Sequence, residues 1–101
     1  MEVTVNKQKG ITTVTLDGRL DTPAAAEVSA KLEPVVQNAT GTIILDCAKM
    51  SYISSSGLRI FLTLRKAAAE KGGKVIVCSL VPEVRSVFMM TGFLNLFQIQ
   101  E

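Results

Sequence analysis

Histidine and tryptophan are both absent from this chain of 101 residues. Without histidine the chain cannot form a Ser-His-Asp or Cys-His nucleophile system, nor a metal site with a histidine ligand. Its two cysteines, Cys47 and Cys78, are too few for a four-cysteine zinc site and too far apart for a CxxC pair. We therefore expect a protein that is not an enzyme, with no catalytic residue, metal or cofactor.

Charge of one sign, aromatic residues and long apolar runs are also scarce. Eleven basic and nine acidic residues are interspersed and leave a net charge of +2, and aromatic residues make up 5%. Nucleic-acid binding usually needs a basic face and stacking aromatics, so no nucleic acid partner is expected. No basic-then-apolar leader opens the chain and no apolar run approaches ~18 residues. We expect no membrane insertion and a cytoplasmic location.

What is present is typical of one globular domain over residues 1–101. Hydrophobic residues make up 48% and charged residues 20%, which argues against disorder. Both cysteines lie in or beside apolar, strand-like runs, so we expect reduced and buried thiols.

The hydrophobic pattern predicts alternating strands and helices. The predicted strands are Val3–Gln8, Thr12–Leu16, Thr42–Leu45, Lys74–Cys78 and Leu94–Gln100. The first two form a hairpin, and Asp17-Gly18 marks a turn or bulge. The order β-β-α-β-α-β-α-β is typical of an α/β fold with a mixed, mostly parallel sheet against which the helices pack.

Capping signals place the helices. Thr22-Pro23 begins the first helix, with Thr22 as N-cap. Pro34 is expected either to kink this helix or to break it near Glu33, with a short second turn that ends by Asn38. The second helix covers Ser55–Glu70, ended by Gly72, and the third begins at Pro82. A loop, Cys47–Ser54, is expected before the second helix.

Three consecutive serines, Ser54, Ser55 and Ser56, open this second helix. A helix N-terminus carries unpaired N–H groups and about half a positive charge, so it would stabilise a phosphate on one of these serines. The alternative is that the serines only cap the helix, since serine is a preferred N-cap residue.

Nearly the whole chain resembles the STAS domain of bacterial anti-sigma factor antagonists. The resemblance is carried in order by VTLDGRLD (14–21), IILD (43–46), ISSSGL (53–58) and VFMMTGF (87–93). It implies that the serine two positions before Gly57, Ser55, is phosphorylated by an anti-sigma factor that is also a serine kinase. A phosphoserine phosphatase would reverse the modification. Ser54 stands where the family usually has aspartate, which leaves Ser54 and Ser56 as alternative acceptors.

The resemblance also implies that Asp21 is an acidic neighbour of the phosphorylation site; its alternative role is that of a turn carboxylate. On the helix, Leu58, Leu62 and Ala69, with Arg65 among them, form a stripe beside the main apolar face. This stripe either docks a partner, through Leu58, Leu62 and Arg65, or packs on an adjacent helix. Small STAS domains also serve as subunits that bind the ATPase of membrane transporters, and this is the alternative function.

Overall fold

The computed structural model describes residues 1–101 as one α/β unit. Its strands are β1 (Glu2–Gln8), β2 (Ile11–Leu20), β3 (Thr42–Ile53), β4 (Lys74–Cys78) and β5 (Gln98–Gln100). Its helices are α1 (Thr22–Lys31), α2 (Glu33–Gln37), α3 (Ser55–Lys71) and α4 (Pro82–Met90), followed by a 3-10 turn at Phe93–Asn95. None of these helices is long and apolar enough to cross a membrane.

The five strands form one mixed sheet in the order β1-β2-β3-β4-β5. β1 and β2 are the antiparallel hairpin, and the other neighbours are parallel. Val14, Leu45 and Val77 are register partners on one face of the sheet. They belong to a core cluster that also contains residues from all four α-helices, among them Phe61 and Phe88. The predicted fold class is therefore confirmed, with the helices on a single face.

Three predicted strands have wrong boundaries. The second, expected over Thr12–Leu16, continues to Leu20. The expected loop Cys47–Ser54 is strand as far as Ile53, because β2 itself continues through a bulge near Asp17 and Gly18 and pairs with β3 along its whole length. The expected strand Leu94–Gln100 is reduced to three residues, because the 3-10 turn at Phe93–Asn95 takes up the start of that segment.

The residues that end helices were predicted more accurately than the strand boundaries. Pro34 does end the first helix: Leu32 caps α1, and α2 restarts at Glu33 with the proline in its first turn, where its missing N–H costs nothing. Gly72 ends α3 with φ 81°, a left-handed conformation that favours glycine. The predicted N-cap Thr22 is wrong by one residue, because the carboxylate of Asp21 accepts the capping bond.

Candidate functional site

The candidate site lies where β2 and β3 end side by side. Leu20 and Ile53 are the last paired residues of the two strands. One residue further, the Ser54 N–H donates a hydrogen bond of 2.9 Å to the Leu20 carbonyl oxygen. α1 and α3 each begin immediately after these strands, so two helix N-termini emerge from the same edge of the sheet.

Ser54 is the N-cap of α3. Its backbone is extended, with φ −91° and ψ 171°, and its hydroxyl accepts a hydrogen bond of 3.1 Å from the Gly57 N–H. The residue is only 9% exposed. Ser54 therefore satisfies one of the unpaired N–H groups of the helix, and its burial restricts the access of another molecule to its hydroxyl.

Ser55, the first residue of α3, is exposed. Its hydroxyl takes part in no hydrogen bond with another protein group, and the positive end of the helix dipole lies beside it. Ser56 is partly exposed and faces the groove between α1 and α3. Of the three serines, Ser55 is the most accessible to an approaching enzyme.

Gly57 allows α3 to begin close against the sheet. A Cβ atom at this position would lie 2.7 Å from Leu20 Cγ and 2.9 Å from Ile53 Cγ1. Both neighbours are buried, at 0% and 3% exposed. The glycine therefore sets how closely the serine-bearing turn approaches the strand ends.

Asp21 lies at the same edge, one residue after β2. Its Oδ1 accepts a hydrogen bond of 3.0 Å from the Ala24 N–H, and the residue is partly exposed. Asp21 is therefore the N-cap of α1. It stands beside the serine turn because the Ser54–Leu20 hydrogen bond joins the two strand ends.

The residues of the predicted docking stripe on α3 differ in their exposure to solvent. Leu58 is 7% exposed and belongs to the hydrophobic core, so its side chain is covered by other parts of the domain. Leu62 is 36% exposed. Arg65 is exposed, and its Nε donates a hydrogen bond of 2.7 Å to the Leu96 carbonyl oxygen, which ties α3 to the segment before β5.

The prediction missed an exposed pair near the ends of β2 and β3. The Arg19 guanidinium lies 4.3 Å from the centre of the Tyr52 ring, in cation–π contact, and Tyr52 is 39% exposed. Both residues precede the last paired residues of their strands, Leu20 and Ile53. The signal was the only tyrosine of the chain, placed three residues before Ser55, but it lay in a segment predicted to be a loop.

A second missed feature is a groove of about 350 Å³ between α1 and α3. We call it the α1–α3 groove. Ala26 and Ser29 of α1 and Ser56, Arg59 and Thr63 of α3 contribute to its walls. The sequence did not show that α1 would lie alongside α3.

The cysteines lie away from the serines, in β3 and at the end of β4. Burial, with smaller contributions from Cys78 and Asp46, raises the pKa of the Cys47 thiol to about 12. Burial and Asp46 also raise the pKa of Cys78. Both thiols are free, but only Cys47 is fully buried, so the expectation of two buried thiols holds for one of them. Neither is activated as a nucleophile.

A family model described as the STAS domain matches residues 2–101. Among curated proteins, BtrV of Bordetella bronchiseptica is 33% identical over 98% of this chain and 85% of its own, and is named as a candidate anti-sigma factor antagonist. The anti-sigma F factor antagonist of Paenibacillus polymyxa is 26% identical over 100% of this chain and 87% of its own.

The fold is similar to that of SpoIIAA, a cell fate determinant of Bacillus, whose structure has been solved in its phosphorylated form. The two share 24% identity with a TM-score of 0.76, over 99% of this chain and 91% of SpoIIAA.

Proposed function

The chain belongs to the STAS domain family, and from this we propose that it is an anti-sigma factor antagonist switched by phosphorylation of Ser55. In the unphosphorylated state it binds an anti-sigma factor, which then releases its sigma factor. The relatives described above are named as antagonists of anti-sigma factors and not as transporter subunits, so the transporter alternative is not proposed. Because sigma factors act on RNA polymerase, the proposed location is the cytoplasm.

The observation that carries the proposal is the different placement of two neighbouring serines. Ser54 is buried and caps α3, whereas Ser55 is exposed at the first position of the helix with a free hydroxyl. A kinase can reach Ser55 without unfolding the helix. The helix N-terminus stabilises the phosphate once it is attached.

Phosphorylation switches binding through charge. A phosphoserine adds about −1.5 to −2 charges and three acceptor oxygens. If the partner covers Ser55, it must desolvate or oppose this charge, which costs several kcal/mol. Since each 1.4 kcal/mol changes affinity about tenfold, a loss of roughly a hundredfold is expected without refolding.

The proposed partner is an anti-sigma factor that is itself a serine kinase. The kinase brings ATP and Mg²⁺, so this chain supplies an acceptor hydroxyl and a docking surface and no catalytic group. A separate phosphoserine phosphatase removes the phosphate and restores binding.

The first prediction tests the acceptor. The chain is incubated with ATP, Mg²⁺ and a purified serine-kinase anti-sigma factor from the same organism, and the phosphate is mapped by mass spectrometry. We expect a phosphate on Ser55, none on Ser55→Ala, and normal labelling of the matched control Ser86→Ala, which changes an exposed serine of α4. Label that persists on Ser55→Ala would mean that the acceptor is wrongly assigned.

Binding is measured in parallel by pull-down with the same kinase. The wild type and Ser55→Ala should be retained, and Ser55→Asp should be lost because it places a negative charge at the interface. Failure of the unphosphorylated wild type to bind would contradict the function itself.

A further inference from the structure

The α1–α3 groove contains a positive charge that the proposed switch does not use. Arg59 is the only charged residue among those that line the groove. It is exposed, and its guanidinium forms no hydrogen bond or salt bridge; the single salt bridge of the molecule joins Arg85 to Glu101. The groove thus presents a free guanidinium framed by neutral side chains.

The shape of the groove suits a chain segment that carries a carboxylate. Ala26, Ser29 and Thr63 are small, so another backbone can approach closely. A guanidinium offers a planar set of donors that matches the two oxygens of a carboxylate. The charge and the geometry therefore favour an aspartate or glutamate side chain as the group that enters.

The groove is continuous with the proposed binding surface. Ser56 follows Ser55 in the chain and also lines the groove, so a partner that covers Ser55 reaches the groove. Arg59 lies four residues after Ser55 on α3, and residues at this spacing are neighbours on a helix surface. One partner can contact Ser55 and Arg59 at the same time.

We propose that the α1–α3 groove binds an acidic segment of the anti-sigma factor, and that Arg59 pairs with a carboxylate of that segment. This inference rests on the proposed function, because it assumes that an anti-sigma factor covers Ser55. It adds a second effect of phosphorylation. A phosphate on Ser55 lies within one helical turn of Arg59 and competes with the partner's carboxylate for the same guanidinium.

The contribution of the Arg59 charge to binding is tested by titration calorimetry. The titration uses the purified serine-kinase anti-sigma factor described above, without ATP. Arg59→Gln should weaken binding severalfold and Arg59→Glu by about tenfold or more, because the reversed charge repels the carboxylate. Lys71→Gln and Lys71→Glu are matched controls: they change the net charge equally but lie at the opposite end of α3. These controls should bind nearly as the wild type does.

The shape of the groove is tested separately. Ala26→Met fills the groove without a change of charge and should weaken binding severalfold. Ala30→Met is its control, since Ala30 is exposed on α1 but does not line the groove. Thermal melting by circular dichroism confirms that each variant is folded.

The outcomes separate this inference from the function on which it rests. Failure of the wild type to bind would overturn both. If the wild type binds and folded Arg59→Glu binds with equal affinity, the groove proposal is wrong and the antagonist function stands. Equal weakening by Arg59→Glu and Lys71→Glu would indicate general charge steering and would also overturn the groove proposal.

Discussion

Ser54 and Ser55 have identical side chains and opposite surroundings. The Ser54 hydroxyl points towards the N–H of Gly57, three residues further along the chain, because the residue before a helix has extended backbone geometry. The next residue already has helical geometry, so the side chain of Ser55 projects outward. Ser54 caps α3 in this chain. The aspartate that is more usual at this position in the family can cap a helix in the same way, since serine and aspartate are both preferred N-cap residues.

A second prediction concerns Gly57. Glycine to alanine within a helix normally adds stability of about 1 kcal/mol. Here the new methyl group would overlap with Leu20 and Ile53, which are buried and cannot move aside. We expect Gly57→Ala to lower the free energy of unfolding by about 1–3 kcal/mol, as overpacking does.

Urea denaturation measures this change. Ser56→Ala, in the same helical turn, is the control and should remain within about 0.5 kcal/mol of the wild type. A Gly57→Ala variant as stable as the wild type would show that the turn can move away from the strand ends.

At the scale of elements, the site is built by two parallel strands that end together. β2 and β3 stay paired as far as Leu20 and Ile53, and the helices that follow them must therefore start beside each other. The same pairing brings Arg19 and Tyr52 into contact on the surface. Tyrosine and arginine are the residue types that most often dominate binding energy at protein interfaces.

A third prediction follows for this pair. Tyr52→Ala removes the exposed ring and the contact that holds the Arg19 guanidinium, so it should weaken binding to the anti-sigma factor by about tenfold or more. Tyr52→Phe keeps the ring and should retain most of the affinity.

Titration calorimetry with the kinase used above measures the effect. Met90→Ala is the control, because Met90 is 80% exposed at the end of α4, and α4 contributes no residue to the serine turn or the α1–α3 groove. If folded Tyr52→Ala binds the anti-sigma factor with unchanged affinity, the Arg19–Tyr52 pair does not belong to the binding surface.

At the scale of the whole molecule, one core between the sheet and its helices supports the site. Phe61 of α3 and Phe88 of α4 pack edge to face with ring centres 5.6 Å apart. Cys47, 0% exposed, belongs to the same core. Its thiol must stay protonated because a buried thiolate would lose its hydration without gaining a cation.

A fourth prediction is a loss of stability at high pH. The thiol of Cys47 has its pKa raised from 9.0 to about 12 in the folded state. The unfolded chain therefore loses this proton first. The stabilising contribution is complete below pH 9 and declines as the pH rises towards 12, by about 1.4 kcal/mol per pH unit.

Urea denaturation under reducing conditions at pH 8 and pH 10 checks this decline. Cys47→Ala lacks the thiol, so its stability should fall less steeply between the two values, although the cavity lowers its stability at both. Equal slopes in the two proteins would contradict the assignment.

Local chemistry is what the sequence by itself determined. Pro34 ended a helix, Gly72 capped one, and alternating apolar residues placed the hairpin, because each of these effects acts within a few residues. The apolar face of α3 was predictable for the same reason, and its residues Ile60, Phe61 and Leu64 are buried.

The tertiary structure alone decided what depends on neighbours distant in the chain. Only the pairing of β2 with β3 turned the expected loop before Ser55 into strand and brought Tyr52 against Arg19. Only the tertiary packing buried Leu58 in the core, and only the placement of α1 beside α3 left Arg59 in a groove. A hydrophobic pattern states which residues avoid water, whereas the arrangement of the elements determines which neighbour covers them.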